Sequence, residues 1–170
     1  MIVVGIDPGL ANTGWGVVEE RGGVCRARAY GCVSTPASDP VNVRLGTIFR
    51  ELSRVVERYG PDSMAVEEIF FGRNSRSAIW TAHARGVALV AGSEHGLEVG
   101  EYTPMQIKQA VCGTGAADKE QVTYMTRRIL ALDHDPRPDH AADALAVAVC
   151  HANRARTLGL AAAARDREAS

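Results

Sequence analysis

Residues 1–33 have the sequence MIVVGIDPGLANTGWGVVEERGGVCRARAYGCV, which contains three runs rich in apolar residues, separated by two turn sequences. Pro8-Gly9 and Gly22-Gly23 favour tight chain reversals, so consecutive runs should lie side by side. This stretch therefore predicts three strands in an antiparallel meander. The predicted strands cover residues 2–6, 13–19 and 26–33.

The chain beyond residue 34 alternates between helical and strand patterns. The clearest helix runs from Leu45 to Tyr59, where apolar residues repeat at helical spacing until Gly60-Pro61 ends the run. Thr103 and Asp118 are each followed three residues later by a Gln, an arrangement typical of a capped helix start. The helical patterns cover residues 45–59, 75–92, 104–112, 119–132 and the residues after 138, and the strand patterns cover residues 64–71 and 97–102.

The order of these elements predicts the fold class. Three antiparallel strands are followed by helix, strand, helix, strand and further helices, and buried strands that follow helices favour parallel crossovers. We therefore expect an α/β fold with a mixed five-stranded sheet flanked by helices. This order is similar to that of the ribonuclease H-like fold, although other α/β folds also have it.

The composition indicates a single globular domain. A chain of 170 residues can bury a core but has no room for a second large domain, and 46% hydrophobic and 23% charged residues are ordinary values. The opening MIVVGID is too short and lacks the basic leader of a signal peptide or membrane span, so we expect a cytoplasmic protein with no membrane partner. The domain should cover residues 1–156, with residues 157–170 as a frayed or disordered tail.

The cysteines are far apart and should be reduced and mostly buried: Cys25, Cys32, Cys112 and Cys150.

The charge distribution allows nucleic-acid binding only through a local patch. The formal net charge is -1, which is no global signature of a nucleic-acid-binding protein. Between Glu68 and Glu94 there is no acidic residue, whereas Arg73, Arg76 and Arg85 lie in this interval. A basic patch and an ordinary solvated face both explain this excess.

Acidic side chains are predicted at the ends of two strands. Asp7 ends the first strand, where it has either a catalytic role or the turn-forming role that Asp often has before Pro-Gly. Glu67 and Glu68 interrupt the apolar run MAVEEIFF. If the strand continues through them, one carboxylate faces the interior and needs a partner or a metal; if the strand ends there, both face water.

A third acidic position lies on the last helix, in PDHAADALAVAV, residues 138–149. Asp139 suits the N-cap after Pro138. Capping does not explain Asp143, because Val147 continues its face of the helix and makes that face apolar. His140 lies one turn before Asp143 on the same side, so the two side chains can share a ligand.

These positions are suited to a divalent-metal phosphodiesterase. Mg²⁺ prefers carboxylate oxygens, and two such ions about 4 Å apart can activate the attacking water and stabilise the leaving oxygen. Without a metal, the clustered carboxylates would repel one another or shift their pKa values.

Five segments carry a resemblance to a known family: GIDPGLANTGWGVV, MAVEEIFFGRNSRSA, ARGVALVA, EYTPMQIKQAVCGTGAADKEQV and DHAADALAVAVCH. Together, in this order and at this spacing, they resemble the RuvC family of Holliday-junction resolvases over about residues 1–153. The family implies a homodimeric endonuclease of ribonuclease H-like fold. It nicks four-way DNA junctions symmetrically in recombination and repair, uses Mg²⁺ or Mn²⁺, and works with the RuvA-RuvB branch-migration complex.

The resemblance also implies roles for individual residues. The catalytic and metal-binding acids are Asp7, Glu67 and Asp143, with Glu67 chosen over Glu68. Many members have Asp where this chain has His140, which leaves three roles open for the imidazole: metal ligand, general base, or both at different steps. Phe70 is expected to stack on bases at the junction centre, although a core position is the alternative. The residues expected to contact DNA are Phe70, Phe71, Arg73, Arg76, Lys108 and Lys119.

Two other functions compete with this one. The Asp-x-Gly hairpin also begins the phosphate loop of actin-like and hexokinase-like ATPases, but those proteins need two such domains around the nucleotide. A scaffold that binds junctions without cutting them is the second alternative.

Overall fold

The structure is a computed structural model that describes the backbone of residues 1–68 and 75–168 and the side chains of residues 1–68 and 78–158. Its five strands form one sheet, and each strand lies close to its predicted place. The strands are β1 (Ile2–Asp7), β2 (Asn12–Arg21), β3 (Val24–Ser34), β4 (Ser63–Glu67) and β5 (Glu98–Tyr102), in the spatial order β3-β2-β1-β4-β5.

The pairing confirms a mixed sheet. β1 pairs antiparallel with β2, and β2 with β3, as the meander predicts, whereas β4 pairs parallel with both β1 and β5. Parallel neighbours point the same way. The carboxyl ends of β1, β4 and β5 therefore lie along one edge of the sheet.

Five helices cover the two faces of the sheet. They are α1 (Val41–Tyr59), α2 (Ser75–Glu94), α3 (Pro104–Cys112), α4 (Lys119–Ile129) and α5 (Asp139–Glu168). The apolar residues of α1 and α2 form one buried cluster with the sheet, and those of α3, α4 and α5 form the other. Both predicted capping boxes are present: Thr103 Oγ1 accepts from the Gln106 N–H at 3.2 Å, and Asp118 Oδ1 from the Gln121 N–H at 2.8 Å.

Helix α5 lies directly on β1 and β2 because glycines face it. A Cβ atom at Gly5 would overlap the carbonyl oxygen of Ala144, and one at Gly14 would overlap that of His140. The apolar run from Ala144 to Val149 is at most 1% exposed along its whole length. This burial explains why the run has no polar face.

Three details differ from the sequence expectations. β4 ends at Glu67 rather than near residue 71, although residues 69–71 lie outside the described part of the chain. Asp139 is the first residue of α5 rather than its N-cap, and its carboxylate accepts a hydrogen bond from Arg137 at 3.1 Å. Arg85 forms an ion pair with Glu101 on β5, so this cation belongs to an intramolecular contact and not to a free basic patch.

The four cysteines are free thiols, as predicted. Cys25 and Cys150 are buried, whereas Cys32 and Cys112 are only partly buried.

The backbone of α5 continues through Glu168, so no helix end marks the expected domain boundary at residue 156. Within the described residues, no helix has the length and apolar character needed to cross a membrane.

Candidate metal and nuclease site

Three elements bring the candidate acids together at one edge of the sheet. Asp7 is the last residue of β1, and Glu67 is the last residue of β4. Because these two strands are parallel neighbours, their last residues lie close to each other. The first turn of α5 adds His140 and Asp143, which are three residues apart and therefore share a helix face.

Asp7, His140 and Asp143 form a compact group of possible metal ligands. One ligand atom from each of these side chains lies within 4.8 Å of the other two. His140 Nδ1 and Asp7 Oδ2 are 2.7 Å apart, a hydrogen bond between residues 133 positions apart in the sequence. The set of two carboxylates and one imidazole suits a divalent cation, since hard cations prefer oxygen ligands and imidazole is a common additional ligand.

The alternation of β4 decides between the two glutamates. Ala65 belongs to the apolar cluster under α5, whereas Val66 belongs to the cluster on the opposite face. Glu67 is two residues after Ala65, so it faces α5 and the candidate ligands. Glu68 lies beyond the end of β4 and lines a different cavity, with Tyr102 and His151. This geometry agrees with the choice of Glu67 that the family resemblance implies.

The electrostatics of the group favour a bound cation. Burial, followed by the negative charges of Asp7 and Asp143, raises the pKa of Glu67 from 4.5 to about 7. Burial is also the largest effect on Asp7 and raises its pKa, against the lowering effect of the hydrogen bond from His140. Carboxyl groups that are costly to ionise in the metal-free protein would be stabilised as carboxylates by a divalent ion.

Two lysines lie beside the acids. Lys119 Nζ is 3.0 Å from Asp143 Oδ2 and forms an ion pair with it. Lys108 and Lys119 line a cavity of about 210 Å³ together with Glu67 and Asp143. Both lysines are therefore placed where they can meet a phosphate that approaches the acidic group.

The other candidate DNA-binding residues cannot be placed. Phe70, Phe71 and Arg73 lie outside the described residues, and the side chain of Arg76 does too.

Sequence reasoning did not find the Asp7–His140 bond or the Lys119–Asp143 ion pair. Their partners are 133 and 24 residues apart, so no local pattern could have indicated either contact.

Comparisons with known proteins agree on one family. A family model described as "Crossover junction endodeoxyribonuclease RuvC" matches residues 3–151. The crossover junction endodeoxyribonuclease RuvC of Desulforamulus reducens is 48% identical over 159 residues, which cover 94% of this chain and 98% of the relative. That of Moorella thermoacetica is 52% identical over 153 residues, 90% of this chain and 92% of the relative.

A solved structure gives the same result. RuvC of Thermus thermophilus in complex with a Holliday junction substrate superposes with a TM-score of 0.88 at 44% identity, over 92% of this chain and 96% of that one. The chain therefore belongs to the RuvC family of crossover junction endodeoxyribonucleases, with the ribonuclease H-like α/β fold of that family.

Proposed function

We propose that Asp7, Glu67, His140 and Asp143 form the catalytic metal site with which this endonuclease cuts four-way DNA junctions. The observation that carries the proposal is the convergence of Asp7, His140 and Asp143 within 4.8 Å, beside a half-buried Glu67 whose pKa is raised to about 7. Such a group is costly to assemble without a cation. The free-energy cost of holding these acidic groups together indicates a site that binds a metal ion.

The proposed cofactor is Mg²⁺, with Mn²⁺ able to replace it. Carboxylate oxygens suit both ions, and two ions per site are expected from the number of acidic ligands. When bound, such a pair of ions lowers the pKa of the attacking water and stabilises charge on the leaving oxygen. The contribution of the chain is to hold the carboxylates in a half-buried group at the carboxyl ends of β1 and β4 and the start of α5.

His140 is proposed to act as the general base. Its Nδ1 is engaged with Asp7 Oδ2 at 2.7 Å, which leaves Nε2 available for a second partner. If Nδ1 carries the proton of the neutral ring, Nε2 has a free lone pair and Asp7 orients the imidazole. An imidazole held in this way can accept a proton from the attacking water, although ligation of a metal through Nε2 is the alternative role.

Lys108 and Lys119 are proposed to bind the phosphate backbone next to the cleaved bond. Their position on the cavity with Glu67 and Asp143 supports this role. Phe70, Phe71, Arg73 and Arg76 are proposed to contact the junction centre and its arms, on the strength of the family resemblance. Phosphate contacts position the DNA and make the affinity fall with salt.

Symmetric cleavage requires two active sites related by a two-fold axis, so we propose a homodimer. Helix α2 supports this proposal, because Ile79 and Val90 are 50% and 53% exposed. Gly86 lies between them on the same helix face, with open space where its Cβ atom would be. An exposed apolar stripe of this kind suits contact with a second copy.

The proposed wider partner is the RuvA-RuvB branch-migration complex. The expected place of action is the compartment that holds the chromosomal DNA, which is the cytoplasm in bacteria such as those that carry the relatives.

The test is cleavage of a synthetic four-way junction with Mg²⁺, beside a linear duplex of the same sequence and ATP. We expect paired symmetric nicks with ligatable ends in the junction alone, and none with the Asp7→Asn variant. Binding without nicking would instead support a scaffold. ATP hydrolysis without nicking would support an ATPase.

A further inference from the structure

We infer that His151 is a positioning residue for the metal site: from α5 it bonds to β4 and β5, and so holds His140 and Asp143 in place against Glu67. This inference rests on the proposed function, because it concerns the geometry of the proposed metal site. His151 lies on α5 eight residues after Asp143 and does not belong to the candidate ligand group.

Both ring nitrogens of His151 have a hydroxyl partner. Nε2 is 3.0 Å from Ser63 Oγ on β4, and Nδ1 is 2.9 Å from the Tyr102 hydroxyl on β5. The rings of Tyr102 and His151 also meet edge to face, with centroids 5.7 Å apart. One side chain thus connects the helix to two adjacent strands.

The surroundings favour a neutral imidazole in this network. Burial lowers the pKa of His151, and the charge of Glu98 only partly opposes this effect. In a neutral ring one nitrogen donates and the other accepts, and a hydroxyl group can take either role. Ser63 and Tyr102 are 7% and 5% exposed, so these bonds are shielded from water and directional.

The backbone of β5 leaves room for the ring. A Cβ atom at Gly100 would lie 2.6 Å from His151 Nδ1 and 3.0 Å from the Tyr102 hydroxyl. A side chain at this position would therefore displace the imidazole without removing any hydrogen-bonding group. The absence of a side chain lets His151 reach both hydroxyls.

Ser63 and His151 lie away from the metal site along β4 and α5, whereas the backbone of Tyr102 pairs with that of Glu67 and its side chain extends to His151. Ser63 and Glu67 are the first and last residues of β4, and Asp143 precedes His151 by about 12 Å of helix. A displacement of α5 by about 1 Å relative to β4 would shift Asp143 by about the same distance relative to Glu67, which is large enough to impair a catalytic site.

Other polar contacts hold the first turn of α5 to different elements. The His140–Asp7 hydrogen bond joins it to β1, and the Lys119–Asp143 ion pair joins it to α4. The packing of α5 on β1 and β2 is apolar, and apolar contacts have little directional preference. The two hydrogen bonds of His151 join α5 to β4, the strand that carries Glu67, and to β5, and so fix the position of α5 relative to Glu67.

The test is the affinity of the full-length protein for Mn²⁺ without DNA, measured by calorimetry for a series of variants. Ser63→Ala and Tyr102→Phe each remove one hydroxyl and should weaken Mn²⁺ binding about 2- to 10-fold. His151→Leu removes both bonds and should weaken it about 10- to 100-fold. His151→Gln keeps a donor and an acceptor and should recover part of the loss.

A second readout separates positioning from general stability. Junction affinity in EDTA should stay unchanged in these variants, while kcat with Mn²⁺ falls. The matched control is Ile48→Val, which loses core packing on the other face of the sheet and should leave Mn²⁺ affinity unchanged. If His151→Leu does not fold, Ser63→Ala and Tyr102→Phe decide the question.

The inference would be overturned if both hydroxyl variants kept the Mn²⁺ affinity of the wild type. It would also be overturned if Ile48→Val lost as much Mn²⁺ affinity as His151→Leu. Asp7→Asn, measured in the same way, tests the proposed function separately. If Asp7→Asn keeps its Mn²⁺ affinity, the proposed metal site is wrong. If it loses affinity and the hydroxyl variants do not, only the role of His151 is wrong.

Discussion

Replacement of Glu67 by Gln should abolish cleavage and at the same time stabilise the metal-free protein at neutral and alkaline pH. Burial, followed by the charges of Asp7 and Asp143, raises the pKa of Glu67 from 4.5 to about 7. The folded protein therefore prefers the protonated carboxyl group, and ionisation of Glu67 opposes folding. A glutamine has nearly the same shape and never ionises.

The size of the effect follows from the two pKa values. Below pH 4.5 the carboxyl group is protonated in both states and has no effect on stability. As pH rises from 4.5 through about 7, the unfolded chain loses its proton first, and the free energy of unfolding falls. The loss is about 1 kcal/mol at pH 5 and reaches about 3 kcal/mol at pH 8, which are upper bounds.

The assay is urea denaturation in EDTA at several pH values from 5 to 8. We expect Glu67→Gln to exceed the wild type in stability by an amount that grows with pH toward about 3 kcal/mol. Glu68→Gln, which removes a carboxyl group one residue later, beyond the end of β4, is the matched control for a general effect of net charge. Mn²⁺ should then stabilise the wild type more than Glu67→Gln, because the variant lacks a ligand.

Equal stability of Glu67→Gln and the wild type at pH 8 would refute this reasoning, as would a difference that does not change between pH 5 and 8. A stabilised variant that still cuts junctions at the wild-type rate would refute the metal-ligand role alone.

Four further changes test other parts of the proposed function. Asp7→Asn should lower junction cleavage at least about 100-fold and leave junction binding in gel shifts nearly unchanged, because it removes a ligand and not the basic surface. His140→Asp should keep metal-dependent cleavage, but its kcat should extend to lower pH because a carboxylate is a weaker base than an imidazole; an unchanged pH profile would contradict the general-base role. Phe70→Ala should lower kcat more than junction affinity, whereas loss of the folded circular-dichroism spectrum would indicate a core position. Val90→Glu should weaken the dimer about 100-fold in sedimentation experiments, and an unaffected dimer would exclude this face of α2 from the interface.

The sequence by itself determined the order and type of the elements. Apolar periodicity and turn residues are local features, and they predicted β1, β2, β3 and α1 within a few residues of their observed ends. The pair of His140 and Asp143 was also predictable, because residues three apart on a helix share a face whatever the rest of the chain does. The family resemblance, from five segments in order, supplied the activity.

Only the tertiary structure decided which distant side chains touch. Asp7 and His140 are 133 residues apart in the chain, and Ser63 and His151 are 88 apart. Such contacts depend on sheet order and helix placement rather than on neighbouring residues. The sequence likewise left open whether β4 ends at the two glutamates, because apolar residues follow them in the chain and an apolar run does not mark where strand pairing stops.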